Sequence, residues 1–262
     1  MARLEFPAPE SVRTPSGLTL HTWTHQDPTG PPVLLIHGFA SSTLYNWVKT
    51  GWLDPLAKTG RSIIAVDLPG HGESQDLNPV SVRVRDILAD LSEHLRQHGH
   101  DSVAVHGYSL GSRLAWEFSA AHPEMVTHLI MGGSPTDDRL GALKAKQARL
   151  WVQEGVRPVD DLTRNLVTLA GALPDANVPH TVELLLSLSV DPYDPAAAVP
   201  PVPTLVVAGA EDDIAAEAAS LVPLVTAKGA VAAFVQIPER NHINAVTSRD
   251  YKSAVVSFLQ TS

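Results

Sequence analysis

The sequence predicts an α/β protein whose central sheet is mostly parallel and is flanked by helices. Short apolar, β-branched runs recur along the chain, and each is followed by Gly, Pro or Asp and then by a helix-like pattern. The apolar residues of these runs are continuous instead of alternating with polar ones. This pattern indicates strands covered on both faces, as in a parallel sheet between two layers of helices.

Six runs of this kind are predicted strands, and a hairpin precedes them. Ser11 to Thr14 and Leu18 to Thr24 flank the turn sequence Pro15-Ser16-Gly17, so we expect an antiparallel hairpin that extends one edge of the sheet. The six runs are Val33 to His37, Ser62 to Asp67, Ser102 to His106, Val126 to Met131, Thr204 to Gly209 and Ala232 to Ile237.

Helical patterns lie between these strands. The predicted helices outside the longest interval are Val82 to His98, Leu110 to Ala121, Ala215 to Thr226 and Ser248 to Gln260. Between Pro135 and Pro203 there is no strand-like run, and three helical pieces interrupted by prolines occur instead. These pieces are Leu140 to Val152, Leu162 to Leu173 and Val178 to Val190.

The three helical pieces are too short to hold a core of their own, so they are predicted to cover the carboxyl edge of the sheet. The predicted organisation is therefore one core domain made of residues 1–134 and 204–262, with residues 135–203 inserted as a helical cap. A cap in this position would shape a ligand pocket.

Composition excludes several classes of function. The chain has 262 residues, of which 44% are hydrophobic and 18% charged, enough for a sizeable single core. Its formal charge of −9 argues against nucleic acid or an anionic membrane as partner, because both are bound by clustered Lys and Arg. The absence of Cys excludes disulfides, thiolate zinc sites and thiol catalysis. A small neutral or apolar ligand fits better.

Targeting signals are also lacking in the sequence. Residues Met1 to Pro9 contain no apolar core of signal-peptide length, and no segment reaches the roughly 18 apolar residues of a membrane span. We therefore expect a cytoplasmic protein that does not bind membranes.

A candidate nucleophile lies in the segment Ser102 to Ala115. Here Gly107-x-Ser109-x-Gly111 stands between an apolar β-branched run and a helix-prone run. A serine on such a sharp strand-to-helix turn takes a strained backbone conformation, and glycines two residues away avoid collisions of a Cβ with neighbouring backbone. The N–H groups at the start of the following helix would face an anion formed beside the hydroxyl.

A serine that attacks carbonyl groups needs a base to accept its proton and an acid to orient that base. The strand-like run that ends at Gly209 leads into Glu211 and Asp212, and the last run leads into His242. The carboxyl ends of parallel strands share one edge of a sheet. We therefore expect Ser109, Asp212 and His242, which occur in this order, to meet there.

With these motifs the chain resembles the α/β-hydrolases from about Val33 to His242. Two further marks of that family are His37-Gly38-Phe39-Ala40-Ser41-Ser42 after the third strand and Asp67-Leu68-Pro69-Gly70-His71-Gly72-Glu73-Ser74 after the fourth. The resemblance implies an α/β-hydrolase fold with an inserted helical cap. It also implies that the backbone N–H groups of Phe39 and Leu110 form the oxyanion hole, which would stabilise negative charge on a carbonyl oxygen.

The resemblance leaves alternatives for the acid. Asp212 occupies the family's Gly-x-x-Asp position counted from Gly209, whereas Asp213 stands where the family often has proline. Some members carry the acid after the sixth strand instead, where Asp137 and Asp138 lie. Asp212 is the preferred prediction.

The function implied is that of a serine hydrolase with catalytic residues Ser109, His242 and Asp212, which needs no cofactor and no metal. Its predicted partner is a small-molecule ester or thioester, largely apolar, cleaved through an acyl-serine intermediate. Hydrolysis of carbon–carbon bonds, a lyase step and perhydrolysis use the same triad and stay open, as does a ligand receptor with a hydrolase scaffold. Dehalogenation and epoxide opening are disfavoured, because the relatives that perform them carry aspartate in place of Ser109.

Several other histidines are predicted to be structural. We expect His37 to fix its loop by hydrogen bonding, and His71 and Glu73 to shape a turn beneath the site. The trio His94, His98 and His100 lies at a polar helix end without a carboxylate at ligand spacing, so a solvated helix face is favoured over a metal site. Five aromatic side chains are predicted to pack in the core or cap, namely Tyr45, Trp47, Trp52, Trp116 and Trp151, the last of which could instead line a pocket.

Overall fold

A computed structural model describes residues 7–261, so the predicted domain ends at residues 1 and 262 lie outside the described part. Its centre is an eight-stranded sheet with the order β1-β2-β4-β3-β5-β6-β7-β8. The strands are β1 (Glu10–Arg13), β2 (Thr19–Trp23), β3 (Val33–Ile36), β4 (Ile63–Asp67), β5 (Val103–Tyr108), β6 (Val126–Gly132), β7 (Thr204–Glu211) and β8 (Ala232–Asn241). Strands β3 to β8 are parallel, while β1 and β2 form the predicted antiparallel hairpin at one edge.

The central strands are buried on both faces, as their continuous apolar sequences predict. Every residue of β3, β4 and β5 is buried. Because side chains alternate along a strand, Leu34 and Ile36 join the apolar cluster on one face, and Val33 and Leu35 join the cluster on the other. The prediction of a mostly parallel sheet covered on both sides is thus confirmed.

Eight α-helices accompany the described strands. They are α1 (Leu53–Ala57), α2 (Val84–Gln97), α3 (Leu110–Ala121), α4 (Ala145–Glu154), α5 (Asp161–Leu169), α6 (Val178–Leu188), α7 (Leu221–Ala227) and α8 (Arg249–Leu259). The four helices predicted outside the insertion correspond to α2, α3, α7 and α8. The segment predicted as α7 is shorter in the structure, because a 3-10 turn at Ala218–Ser220 precedes the helix.

A π-helical turn, Thr43–Val48, and the short helix α1 between β3 and β4 were not predicted. Gly51 and Pro55 interrupt the apolar periodicity of this region, which hides the helical pattern in the sequence. The region brings Trp47 and Trp52 into the core, where their rings pack edge to face 5.8 Å apart. Their predicted role in core packing is confirmed.

The helices α4, α5 and α6 lie between β6 and β7, in the segment where the sequence predicts three helical pieces. They enclose a small apolar cluster of Ala148, Val167, Ala170, Val182 and Leu186. Other residues of α6, including Leu184 and Leu188, belong to the main core cluster instead. The inserted helices therefore pack on each other and on the core, and the division into core and cap domains stays a prediction.

Within residues 7–261, no helix is long and apolar enough to cross a membrane.

Candidate active site

Ser109 lies on the sharp turn between β5 and α3, with φ +54° and ψ −116°. Few residues other than glycine adopt this part of backbone space, and such strain often marks functional sites. The turn is possible because both flanking glycines lack a Cβ. A Cβ on Gly107 would lie 2.1 Å from the carbonyl oxygen of Gly111, and one on Gly111 would lie 2.0 Å from that of Ile36.

Ser109, His242 and Asp212 form a continuous line of hydrogen bonds. The His242 Nε2 atom lies 2.8 Å from Ser109 Oγ, and its Nδ1 atom lies 2.9 Å from both carboxylate oxygens of Asp212. With Nδ1 protonated and donating to the carboxylate, Nε2 is free to accept a proton from the serine hydroxyl. The structure thus brings the three predicted side chains together, although their sequence positions are far apart.

The carboxylate of Asp212 is held in place by the backbone that follows β7. Its side chain is fully buried, and Oδ1 also accepts hydrogen bonds from the N–H groups of Ile214 and Ala215, each at 3.0 Å. The loop of His242 is tied to β5, because Tyr108 donates its hydroxyl hydrogen to the His242 carbonyl oxygen at 2.7 Å. The imidazole itself is 17% exposed, so it can meet a ligand.

The alternative acids lie elsewhere. Asp213 is exposed, and its carbonyl oxygen accepts a hydrogen bond from Arg139. The Asp137 carboxylate pairs with Arg139 Nε at 3.0 Å, and Asp138 accepts the backbone N–H of Gly141. In the described part of the chain, none of these three carboxylates accepts a hydrogen bond from His242 Nδ1.

The loop after β3 runs past Ser109, since a Cβ on Gly38 would lie 3.3 Å from the Cβ of Ser109. Gly38 N–H donates to Asn46 Oδ1, and Ala40 N–H donates to His71 Nε2, so the peptides on either side of Phe39 are anchored. Neither Phe39 N–H nor Leu110 N–H donates to another group within residues 7–261. Their assignment to an oxyanion hole stays a prediction.

Two buried histidines fix this loop in the neutral form. The Nε2 atom of His37 accepts Leu68 N–H, so Nδ1 carries the proton and donates to the Gly38 carbonyl oxygen at 2.7 Å. His71 is bound in the same manner, between Ala40 N–H and the Pro69 carbonyl oxygen. Burial lowers the pKa of His37, and it lowers the pKa of His71 to about 3. The structural interpretation of both residues is confirmed.

Sequence reasoning did not single out Asp67, which organises the layer beneath the site. Its carboxylate accepts the backbone N–H groups of Thr43 and Glu73 at 2.7 and 2.8 Å, and it lies 3.1 Å from His21 Nε2. Burial raises the pKa of Asp67, but these hydrogen bonds outweigh burial and lower it to about 2. The signal available in the sequence was the position of this charged residue at the end of the apolar run that forms β4.

The histidine trio differs in part from its prediction. His94 is buried and stacks on His98 with ring centroids 4.0 Å apart, so this helix face is not fully solvated as expected. The i,i+4 spacing places the two rings together, and His94 is the buried member of the pair. Among the described residues, no group of three or more His, Cys, Asp or Glu side chains could hold a metal ion.

Two cavities meet at Ser109. The smaller, of about 120 Å³, has five leucines in its lining, including Leu162 of α5 and Leu185 of α6. The larger, of about 310 Å³, extends past His242. Phe39, Leu166 and Ile214 border both cavities. A bound molecule with one part on each side of Ser109 would therefore fit the site.

A family described as having the alpha/beta hydrolase fold has a sequence profile that matches residues 31–168, which is more than half of the chain. The chain therefore belongs to the α/β-hydrolase family.

Individual relatives are similar over shorter stretches. The chain is 31% identical over 121 residues to epoxide hydrolase 3 of Xenopus tropicalis, covering 46% of this chain and 32% of that protein. It is also 31% identical over 105 residues to epoxide hydrolase B of Mycobacterium tuberculosis (strain ATCC 25618 / H37Rv), covering 40% and 29%. The alignments thus span about a third of the length of these curated relatives.

The fold is similar to that of a thermophilic esterase from Thermogutta terrifontis, solved with malate bound. The TM-score is 0.73 at 21% sequence identity, and the match covers 96% of this chain and 98% of that one.

Gly111, two residues after Ser109, provides a test of the turn. Gly111→Ala places a Cβ 2.0 Å from the Ile36 carbonyl oxygen, so we expect it to lower the free energy of unfolding by more than about 3 kcal/mol. Gly171→Ala is the control, because its Cβ would lie 3.6 Å from the nearest atom, and it should change stability by less than about 1 kcal/mol. Urea unfolding measures both, and equal effects would contradict the close approach.

The low pKa of Asp67 predicts a loss of stability in acid. A carboxyl group whose pKa falls from 3.8 to about 2 on folding stabilises the protein above the higher value and loses this effect as the pH falls through the lower. The contribution is about 2 kcal/mol. Asp67→Asn should therefore be less stable at neutral pH and vary less between about pH 4 and pH 2. Urea unfolding at several pH values checks this, and an unchanged profile in Asp67→Asn would contradict it.

Proposed function

We propose that this protein is a serine hydrolase that cleaves an ester or thioester of a small, largely apolar acid through an acyl-serine intermediate. The observation that carries the proposal is the hydrogen-bonded line from Ser109 Oγ through His242 to the buried carboxylate of Asp212. A serine hydroxyl is a weak nucleophile, and this arrangement supplies both the base that activates it and the acid that orients the base.

In the first half-reaction, Ser109 Oγ attacks the carbonyl carbon while His242 Nε2 accepts its proton. Asp212 stabilises the imidazolium cation that forms and holds Nδ1–H toward itself. The same proton then passes from Nε2 to the leaving oxygen or sulfur, which departs with it. In the second half-reaction water attacks the acyl-serine, His242 again serving as base, and the acid is released.

Negative charge develops on the carbonyl oxygen during both attacks. The backbone N–H groups of Phe39 and Leu110, which donate to no other group within residues 7–261, are the candidate donors for this oxygen. Because Phe39 lies between two anchored peptides, its N–H would need little reorganisation during the reaction. A fixed donor of this kind lowers the barrier by roughly 3 to 4 kcal/mol.

Epoxide hydrolysis, the activity named for two sequence relatives, fits residue 109 less well. Attack by a serine oxygen on an epoxide would leave an ether between Ser109 and the substrate. An ether has no carbonyl carbon for a histidine-activated water to attack, whereas an acyl-serine has one. The nucleophile therefore favours substrates with a carbonyl group.

Carbon–carbon hydrolysis, a lyase step and perhydrolysis would use the same three side chains, and a receptor could retain them without turnover. Time courses distinguish a receptor from an enzyme. Steady release of p-nitrophenol from short p-nitrophenyl esters supports the proposal, while a single slow burst of one equivalent supports a receptor.

Replacement of the nucleophile should abolish hydrolysis. Ser109→Ala removes the attacking oxygen, so we expect kcat for p-nitrophenyl butyrate to fall by about 10⁴-fold or more, with loss of fluorophosphonate labelling. Ser253→Ala, on the exposed face of α8, is the matched control and should keep both properties. Labelling that persists in Ser109→Ala would disprove the assignment.

Neighbouring carboxylates test the identity of the acid. Asp212→Asn should lower kcat by about 10³- to 10⁴-fold, because an amide can hold His242 in the wrong tautomer. Asp213→Asn and Asp137→Asn remove carboxylates that do not contact His242, and each should retain most of the activity. A larger loss in either of these two than in Asp212→Asn would reassign the acid.

A further inference from the structure

The smaller cavity beside Ser109 has a buried arginine, Arg113, in its lining. Arg113 lies on α3 four residues after Ser109, so the two share one face of the helix. Long side chains on a helix lean toward its N-terminus, which here is the end that carries Ser109. Arg113 is only 2% exposed, so its guanidinium group is buried beside the cavity.

The hydrogen bonds of Arg113 are incomplete. Nε pairs with Glu117 at 3.2 Å, and Nη2 donates to the carbonyl oxygen of Asp191. Nη1 is buried and has no partner in the described part of the chain. A buried donor without an acceptor is unfavourable, particularly on a charged group, so an acceptor from a ligand would stabilise it.

A second unpaired donor belongs to the same cavity. Tyr193 is buried, lines the cavity with Arg113, and its hydroxyl group makes no hydrogen bond of normal geometry among residues 7–261, although the Ser134 side chain lies near it. The Arg113 guanidinium carbon lies 5.3 Å from the centre of the Tyr193 ring, so the two groups are neighbours. Two donors in the lining of one cavity, one of them cationic, suit a carboxylate.

Other charged groups at this cavity are already paired. Arg139 binds the carboxylate of Asp137, which is exposed, and the carboxylate of Asp191, which lies outside the cavity lining, binds Arg83. Glu117 is the one carboxylate within ion-pair distance of Arg113 in the described structure, and it contacts Nε. Nη1 therefore keeps its capacity to bind an anion that enters from the cavity.

The dimensions limit the length of the acyl group. Four residues of helix place the Cα atoms of Ser109 and Arg113 about 6 Å apart, and the Arg113 side chain leans back toward Ser109. The cavity volume of about 120 Å³, against about 30 Å³ for a water molecule in the liquid, also fits only a short chain.

We propose that the acyl group of the substrate carries a carboxylate at its far end, as in a monoester or monothioester of a short dicarboxylic acid. Arg113 Nη1 and the Tyr193 hydroxyl bind this carboxylate, and the leucines of the cavity contact the methylene groups between. The inference rests on the proposed function, since it assigns the acyl side of the same site, and it narrows the largely apolar acid proposed there to one with a charged far end. It makes Arg113 and Tyr193 determinants of specificity.

A pair of esters of the same shape tests the proposal. Monomethyl succinate and methyl 4-methylpentanoate differ in that a carboxylate replaces an isopropyl group, and methanol release measures both. We expect the wild-type kcat/KM to be about 10- to 100-fold higher for monomethyl succinate. Equal values, or a preference for the apolar ester, would overturn the proposal.

Variants then locate the preference. Arg113→Met should reduce the ratio of the two kcat/KM values to about one, and Tyr193→Phe should reduce it about threefold or more. Tyr193→Phe deletes only an unpaired hydroxyl group, so it remains informative if Arg113→Met does not fold. Arg96→Met removes an exposed arginine of α2, which is not among the residues lining the cavity, and should keep the wild-type ratio. Equal losses for both esters in the two cavity variants would indicate a structural role and contradict the proposal.

A binding measurement separates this inference from the proposed function. By calorimetry, wild type should bind succinate more tightly than 4-methylpentanoate, and Arg113→Met should lose the difference. No difference in wild type would overturn the inference without reference to turnover. If the enzyme hydrolyses the apolar ester and Ser109 is labelled, but monomethyl succinate and succinate are not preferred, this inference fails and the proposed function stands. Failure to hydrolyse any ester or to label Ser109 defeats the proposed function.

Discussion

The close approach of α3 to the carboxyl ends of β3 and β5 is the constraint on which the rest of the site depends. It is possible because Gly107 and Gly111 have no side chains, and it leaves Ser109 with a positive φ at the start of the helix. Any Cβ at either glycine would meet backbone atoms at about 2 Å, well inside van der Waals contact. Backbone packing between sheet and helix, more than any side chain, therefore sets where the hydroxyl group stands.

A buried polar layer supports the loop that faces this hydroxyl group. Asp67 binds two backbone N–H groups, and His37 and His71 connect the loop after β3 to the loop after β4. In an interior of low dielectric constant, each of these bonds is costly to leave unmade, so the layer specifies one loop conformation. The peptide of Phe39 is held between anchored neighbours while its own N–H stays free.

Much of this arrangement could be predicted from the sequence, because continuous apolar runs identify buried parallel strands and parallel strands place their following loops at one edge. That geometry places Ser109, His242 and the candidate acids at one edge, and the resemblance to the α/β-hydrolases selects Asp212 among them. The network of Asp67 could not be predicted, since its partners are backbone N–H groups that leave no trace in the sequence. The lack of a partner for Arg113 Nη1 in the described residues could not be predicted either, because it depends on which acceptors the fold places within hydrogen-bond distance.

The buried imidazoles of His37 and His71 carry a consequence for acidic surroundings. Each accepts a backbone N–H at Nε2, a bond that only an uncharged ring can make. In the unfolded chain such a ring gains a proton near its ordinary pKa, whereas burial keeps the pKa of His71 near 3 in the folded protein. Mild acidification therefore lowers the free energy of unfolding, because the unfolded chain takes up protons that the buried rings of these two loops exclude.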